Sequence, residues 1–219
     1  MLMYKLLVFD WDGTLMDSQQ EIISCFQWAS RDLGLPVPER DKIRNIIGLG
    51  MHEALMAMFP HFEDEKSRLP FIEQYRHYYF SPQKPPSELY GGVFEMLKKL
   101  EAAGYFLAVA TGKGRRGLDG VLQRTGLDEV FHFTRCVDEA HSKPHPQMLQ
   151  DVMDYLGALP AETLMIGDTE YDLQMASNAG VKSVAVACGA HDKTRLLAHN
   201  PLICLTETHE LEDWLASNR

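Results

Sequence analysis

The chain has 219 residues, 45% hydrophobic and 24% charged, with a formal net charge of -10. That length suits one large domain or two small ones, and the apolar content is ample for a core. The acid excess excludes general nucleic-acid binding, which needs a basic face, but leaves room for a bound cation and for a small anionic substrate at a locally positive site. Cys25, Cys136, Cys188 and Cys204 stand far apart with no C-x-x-C pair, a pattern of reduced thiols that predicts a cytoplasmic protein. The first apolar run is too short and too acidic for a signal peptide or a membrane span. No membrane or nucleic-acid partner is expected, and a monomer is the default.

In chain order, Leu6 to Phe9 is an apolar run that stops at Asp10-Trp11-Asp12-Gly13-Thr14. Such a run ended by Asp and Gly predicts a buried strand entering a turn. Carboxylates at the carboxyl end of such a strand stand where open α/β sheets bind ligands. Ser18, with Glu21 three residues on, predicts a helix start closed by a capping box. Ile22, Ile23, Phe26, Ala29 and Leu33 then recur at helical spacing, and Gly34 ends them. Pro38 opens a second helix holding Ile43, Ile46 and Ile47, broken by Gly48-Leu49-Gly50. A third helix spans about 51 to 59 and a fourth about 64 to 80. No strand is predicted between Ser18 and Phe80, so this block is all-helical, and Pro82, Pro85 and Pro86 close it as a stiff connector.

The pattern then alternates. Helices are predicted around Val93 to Leu100, Leu118 to Leu122, Pro146 to Leu156, Asp172 to Ala179, and Leu211 to Leu215. Strands are predicted at 105 to 110, 131 to 133, 163 to 166, 183 to 187 and 202 to 205. Strands alternating with helices predict βαβ units and a doubly wound parallel sheet, with helices covering both faces. The opening strand belongs to that sheet. The fold class is therefore α/β and Rossmann-like, with an inserted helical domain. The expected division is 1–16 and 84–219 for the α/β core and 17–83 for the insertion.

In a parallel sheet all carboxyl ends share one edge, so Asp10, Asp12, Thr111 and Asp168 converge there although distant in sequence. Asp172, four residues after Asp168, and Lys143, in Ser142-Lys143-Pro144-His145-Pro146, join them. Four carboxylates at close range repel one another and raise some of their pKa values. A cation relieves this, and oxygen ligands with room for water suit Mg²⁺. One carboxylate can attack phosphorus, and a second, two residues away, can protonate the leaving oxygen and later activate water. A metal, a lysine, a hydroxyl and backbone N–H groups can hold the phosphoryl oxygens.

These residues in this order resemble the four motifs of the haloacid dehalogenase (HAD) superfamily of phosphohydrolases. Asp10-Trp11-Asp12-Gly13-Thr14 is similar to motif I, with Trp11 where the family usually has Phe. Thr111 resembles motif II, Lys143 motif III, and Gly167-Asp168 through Asp172 motif IV. The helical block resembles a C1-type cap, and the layout is nearest the phosphoglycolate phosphatase-like branch. The resemblance implies a Mg²⁺-dependent phosphatase of a small phosphorylated metabolite, acting through an aspartyl-phosphate. It implies Asp10 as nucleophile and Asp12 as general acid/base. Thr111, Gly112 and Lys143 would hold the phosphoryl group. Asp10, the Asp12 carbonyl, Asp168 and Asp172 would form the metal site. Gly48, in the Gly48-Leu49-Gly50 loop, would touch substrate, with an ordinary helix-to-helix turn as the equal alternative.

Other residues are expected to play structural parts. Asp17 reads as a helix cap and Arg44 as a surface arginine. His52, His141 and His145 lack metal-ligand spacing. The aromatics from Tyr75 to Phe80 read as cap core. Lys113, Arg115 and Arg116 balance between a solvated helix start and a contact to an anionic substrate. Four alternatives are weaker. A sugar phosphomutase of this branch carries a histidine on the first cap helix, where this chain has Ile22 and Ile23. A phosphonate hydrolase needs a cap lysine that Lys42 and Lys66 do not supply, and a dehalogenase needs neither Asp12 nor Mg²⁺. A non-catalytic binding module conflicts with the complete set of acids.

Overall fold

The computed structural model describes residues 3–218. The chain enters through β1 (Leu6–Phe9), then β2 (Met16–Asp17). Four helices follow: α1 (Gln19–Asp32), α2 (Arg40–Arg44), α3 (Met51–Met58) and α4 (Glu65–Tyr79). The return is β3 (Glu88–Leu89), α5 (Val93–Ala102), β4 (Phe106–Thr111), α6 (Arg115–Thr125), β5 (Phe133–Cys136) and α7 (Gln147–Leu156). The chain closes with β6 (Thr163–Gly167), α8 (Glu170–Asn178), β7 (Lys182–Val186), α9 (Lys193–Leu197), β8 (Cys204–Leu205) and α10 (Leu211–Ser217).

Six strands form one sheet in the order β5-β4-β1-β6-β7-β8, and each neighbouring pair is parallel. This is the α/β Rossmann-like fold expected from the alternating pattern. Successive side chains of a strand point to opposite faces, and β1 shows why its whole run is apolar. Leu7 and Phe9 pack beneath α5, α6 and α10, with Leu97, Leu118 and Leu211. Leu6 and Val8 pack on the other face against Leu149 and Val152 of α7 and Met175 of α8. All four β1 residues are fully buried.

The helical insertion has its own core. Ile23 and Phe26 of α1 meet Ile43, Leu55, Phe59 and Phe71, with the rings of Phe26 and Phe71 4.7 Å apart. The chain leaves and re-enters the α/β part through an antiparallel ribbon, in which Met16 pairs with Leu89 and Asp17 with Glu88. Asp17 is therefore a ribbon residue and not a helix cap. The proline cluster lies in the turn segment that leads into β3.

The expected capping box at Ser18 is absent. The Ser18 side chain makes no capping hydrogen bond, and its buried Oγ is unpartnered. Glu21, buried at 1% exposure, pairs instead with Lys84 from the returning chain. A buried carboxylate gains more from a distant ammonium than from a backbone amide it would have to reach by leaving that partner. The second helix is shorter than its periodicity predicts. It ends at Arg44, and Ile46 and Ile47 lie in the turn that follows. The strand expected at 131 to 133 runs from Phe133 to Cys136, because pairing with β4 in the register Val109–Thr134 decides it.

Candidate active site

β1 lies between β4 and β6 in the sheet, so the residue that follows it has a neighbour on each side. Asp10 leaves the end of β1, flanked by Thr111 at the end of β4 and Asp168 just after β6. Its backbone N–H donates to the Ile166 carbonyl at 3.0 Å. The Asp10 side chain is fully buried. Neither of its carboxylate oxygens has a hydrogen-bond partner of normal geometry, although Lys143 Nζ stands 2.8 Å from Oδ1.

Lys143 also donates to Asp172 Oδ1 at 2.6 Å. The other Asp172 oxygen accepts from the Thr169 amide at 3.0 Å and from its hydroxyl at 2.7 Å, which is a capping box at the start of α8. Asp172 thus serves both the helix cap and the site. Asp168 accepts from the Thr14 hydroxyl at 2.7 Å and from the Ala190 amide at 2.7 Å. One oxygen from each of Asp10, Asp168 and Asp172 lies within 4.8 Å of the others. Burial first, then Lys143 lowering and Asp172 raising, leave the Asp10 carboxyl up at about 7. Burial, then Asp172 and Asp10, push Asp168 well above the usual carboxylate range. Burial opposes the charge on Lys143, yet Asp10 and Asp172 hold its pKa above the ordinary lysine value.

Three buried acids against one lysine leave an uncompensated negative charge, which is strongly unfavourable in a low-dielectric site. Hard oxygen donors converging without enough cations form a cradle for a divalent hard cation. Asp10 fits that reading, since its two buried oxygens have Lys143 beside them and no hydrogen bond of normal geometry, where buried acceptors otherwise collect donors.

Asp12 points elsewhere. Its Oδ1 lies 2.9 Å from Lys113 Nζ, away from the three clustered acids. Thr111 is buried at 1% exposure, and its hydroxyl accepts from the Lys113 amide at 3.2 Å. Trp11 turns away from the site, its ring edge-on to Phe131 at 6.2 Å in the sheet core.

Asp10, Asp12, Thr111, Gly112 and Gly48 all line a cavity of about 560 Å³ between the helical insertion and the sheet edge. Its upper wall is largely apolar, with Ile22, Phe26, Ile72, Tyr75 and Tyr79 from the helices. Gly48 and Gly112 touch. A Cβ on Gly112 would stand 2.6 Å from the Gly48 carbonyl oxygen, so only glycine lets the two loops approach this closely. Lys143, Asp168 and Asp172 sit behind this cavity and are not part of its lining.

Several functional neighbours escaped the sequence reading. Thr14 fixes Asp168, and a threonine straight after the motif glycine was the available signal. Lys113 carries the ion pair to Asp12 and donates to the Tyr79 hydroxyl at 2.7 Å, so neither a solvated helix start nor cap core describes these two residues. Arg44 is not simply a surface arginine, because its guanidinium donates to the Ala190 carbonyl at 3.1 Å across to the core. Of the histidines, His52 lines the cavity, and His141 and His145 meet near the surface, their rings tilted by 46° with centres 4.5 Å apart.

Gly13 is held against Asp168 on a left-handed backbone. It holds φ at +86°, and a Cβ there would stand 2.2 Å from Asp168 Oδ2. Gly13→Ala is expected to displace Asp168 and to cut hydrolytic turnover by about 10²-fold, the usual effect of an ångström's misplacement. Gly34→Ala is the control. Gly34 is also left-handed, at +66°, but nothing lies within 4 Å of its added Cβ. That variant should keep full turnover and carry only backbone strain of about 1 kcal/mol. Equal activity losses in both would show that Asp168 is not the cause.

No helix of the described residues is long and apolar enough to cross a membrane. Residues 7–186 match the family model described as haloacid dehalogenase-like hydrolase. A protein named "Probable phosphatase IndB" from Dickeya dadantii is 36% identical over 212 residues, covering 95% of this chain and 92% of its own. The pyrophosphatase PpaX of Bacillus cereus is 31% identical over 206 residues, covering 94% of this chain and 93% of its own. The crystal structure of a predicted phosphoglycolate phosphatase from Haemophilus somnus superposes with a TM-score of 0.85 at 26% identity, covering 98% and 99% of the two chains. With the acids, the lysine and the threonine gathered at one sheet edge, and a family match over most of its length, this chain belongs to the haloacid dehalogenase-like hydrolases.

Proposed function

We propose that this hydrolase is a Mg²⁺-dependent phosphatase of a small phosphorylated metabolite, working through a phosphorylated Asp10. The observation that carries the reading is the buried Asp10 carboxylate on the wall of a cavity, met by a buried lysine and with two further acids behind it. The phosphatase and pyrophosphatase names of the relatives support it.

An oxygen of Asp10 attacks the substrate phosphorus, and the bond from phosphorus to the leaving oxygen breaks. Asp12, on the same cavity, enters this step protonated and gives that proton to the leaving oxygen, so that its contact with Lys113 is an ion pair once the proton has gone. Asp12 then takes a proton from water, which attacks the phosphorus of the aspartyl-phosphate. Inorganic phosphate leaves, and the Asp10 carboxylate is restored. The Thr111 hydroxyl, the Gly112 amide and Lys143 hold the phosphoryl oxygens as charge develops on them. Asp10, Asp168, Asp172 and the Asp12 carbonyl are the groups that would hold Mg²⁺, which supplies charge neutralisation at the phosphoryl oxygens. Residues 17–83 act as a lid over the core of 1–16 and 84–219, with Gly48 at the contact and bulk water excluded on closure. The cavity of about 560 Å³ has room for a leaving group larger than glycolate, such as a sugar.

The test is phosphate release from p-nitrophenyl phosphate and a panel of phosphorylated metabolites, with Mg²⁺ and with chelator. Metal-dependent turnover is expected. No turnover on any phosphomonoester, or turnover indifferent to the metal, overturns the reading. Independently of activity, Mg²⁺ at 100 times its Kd should stabilise the fold by about 2.7 kcal/mol, and Asp168→Asn should remove most of that shift.

A further inference from the structure

Asp12 has a single partner among the described residues, and that partner is tied to the lid. Lys113 lies two residues beyond Thr111, with its side chain only 4% exposed. Its Nζ stands 2.9 Å from Asp12 Oδ1 and donates to the Tyr79 hydroxyl at 2.7 Å. It also lies 4.9 Å from the centre of the Tyr79 ring. Asp12 belongs to the sheet edge, whereas Tyr79 is the last residue of α4, in the helical insertion. Tyr79 is itself braced, stacked on Tyr75 at 5.9 Å, with Lys84 Nζ 4.4 Å from its ring centre. Gly117 opens the space for both side chains. A Cβ there would stand 3.1 Å from Lys113 Cγ and 3.5 Å from Tyr79 Cε1.

A buried ammonium needs acceptors for its donors. The Asp12 carboxylate, by its charge at 2.9 Å, and the Tyr79 hydroxyl, by a hydrogen bond at 2.7 Å, answer it from two different parts of the fold. Moving the helices away removes one acceptor and admits water to the other. An exposed ion pair between flexible side chains fixes little, since such pairs are worth about 0–1 kcal/mol. The carboxylate of Asp12 is then free to turn.

We propose that Lys113 is a positioning residue for Asp12, and that Tyr79, reaching in from the lid, locks Lys113 so that the acid/base is aligned only when the lid is closed. This rests on the phosphatase reading, with Asp12 as the proton donor. The rival role for Lys113 is a direct contact to an anionic substrate.

The two roles separate by leaving group. p-Nitrophenolate leaves without a proton, whereas a sugar alkoxide needs one. kcat/KM, which reports transfer of the phosphoryl group to Asp10, is compared for p-nitrophenyl phosphate and for the best alkyl phosphate of the panel. Tyr79→Phe keeps the ring and removes only the hydroxyl. It should lower kcat/KM on the alkyl ester about tenfold, and Lys113→Met about a hundredfold. Both should stay within about threefold of wild type on the aryl ester. The double variant should be no worse than Lys113→Met alone, because the hydroxyl acts through the lysine.

Equal losses on both esters, or additive losses in the double variant, overturn the proposal and favour direct contact with the phosphoryl group or plain damage to the fold. A rise in KM with kcat unchanged assigns Lys113 to substrate binding and likewise overturns it. A wild type that cleaves only the aryl ester has no proton transfer to align, which overturns this inference alone. A wild type that cleaves neither overturns the phosphatase reading with it.

Discussion

Asp10→Asn is expected to abolish phosphate release, by at least about 10⁴-fold, while the protein folds normally. An amide cannot form the acyl phosphate, and among the described residues no other carboxylate combines the cavity wall with contact to Lys143. The variant should not be a folding mutant. Lys143 keeps Asp172 at 2.6 Å, so its charge is not orphaned. The substitution also removes a carboxyl that burial and its acidic neighbours have raised to about 7. That shift has a sign. In metal-free buffer the folded state holds this proton while the unfolded chain has released it, so Asp10 makes stability fall as pH rises from about 4 towards 7. Asn has no proton to lose, and its unfolding midpoint should fall less over the same window. Thermal melts across that range and a turnover assay check both parts. Surviving activity would remove Asp10 as nucleophile, and an equally steep pH profile would remove its share of the linkage.

Lys143→Met is expected to give the largest loss of stability. The lysine is fully buried between Asp10 and Asp172, and the change leaves three buried acids facing one another without it. Breaking a buried pair from one side costs about 3–5 kcal/mol. For a chain of this size that is roughly 6–20 °C in unfolding midpoint, at about 2–4 °C per kcal/mol. Turnover should fall about 10²–10³-fold, as when one fixed donor to a developing charge is removed. Mg²⁺ should restore more stability to this variant than to wild type, because a second cation then replaces the missing one. A variant as stable as wild type in chelator would show that the three acids are not held by this lysine.

The places where the sequence reading failed share a cause. Ser18-x-x-Glu21 has the spacing of a capping box, but Glu21 is taken by Lys84, more than sixty residues away. Ile46 and Ile47 continue a helical period, but the chain turns there to bring Gly48 against Gly112 and Thr169. Lys113 looks like any lysine at a helix start, and only the docking of α4 places the Tyr79 hydroxyl beside it. Local pattern carries no information about a partner supplied by another part of the fold.

By itself the sequence determined the α/β class, the helical insertion after the first strand, and the set of acids, lysine and threonine at the strand ends. Those follow from short-range physics: apolar periodicity sets the elements, and a parallel sheet puts every carboxyl end on one edge. The tertiary structure decided which of those acids stand together, with Asp10, Asp168 and Asp172 in one cluster and Asp12 turned to Lys113. It also decided how the insertion meets the core, because the energy of a buried charge depends on neighbours that become neighbours only when the chain has folded.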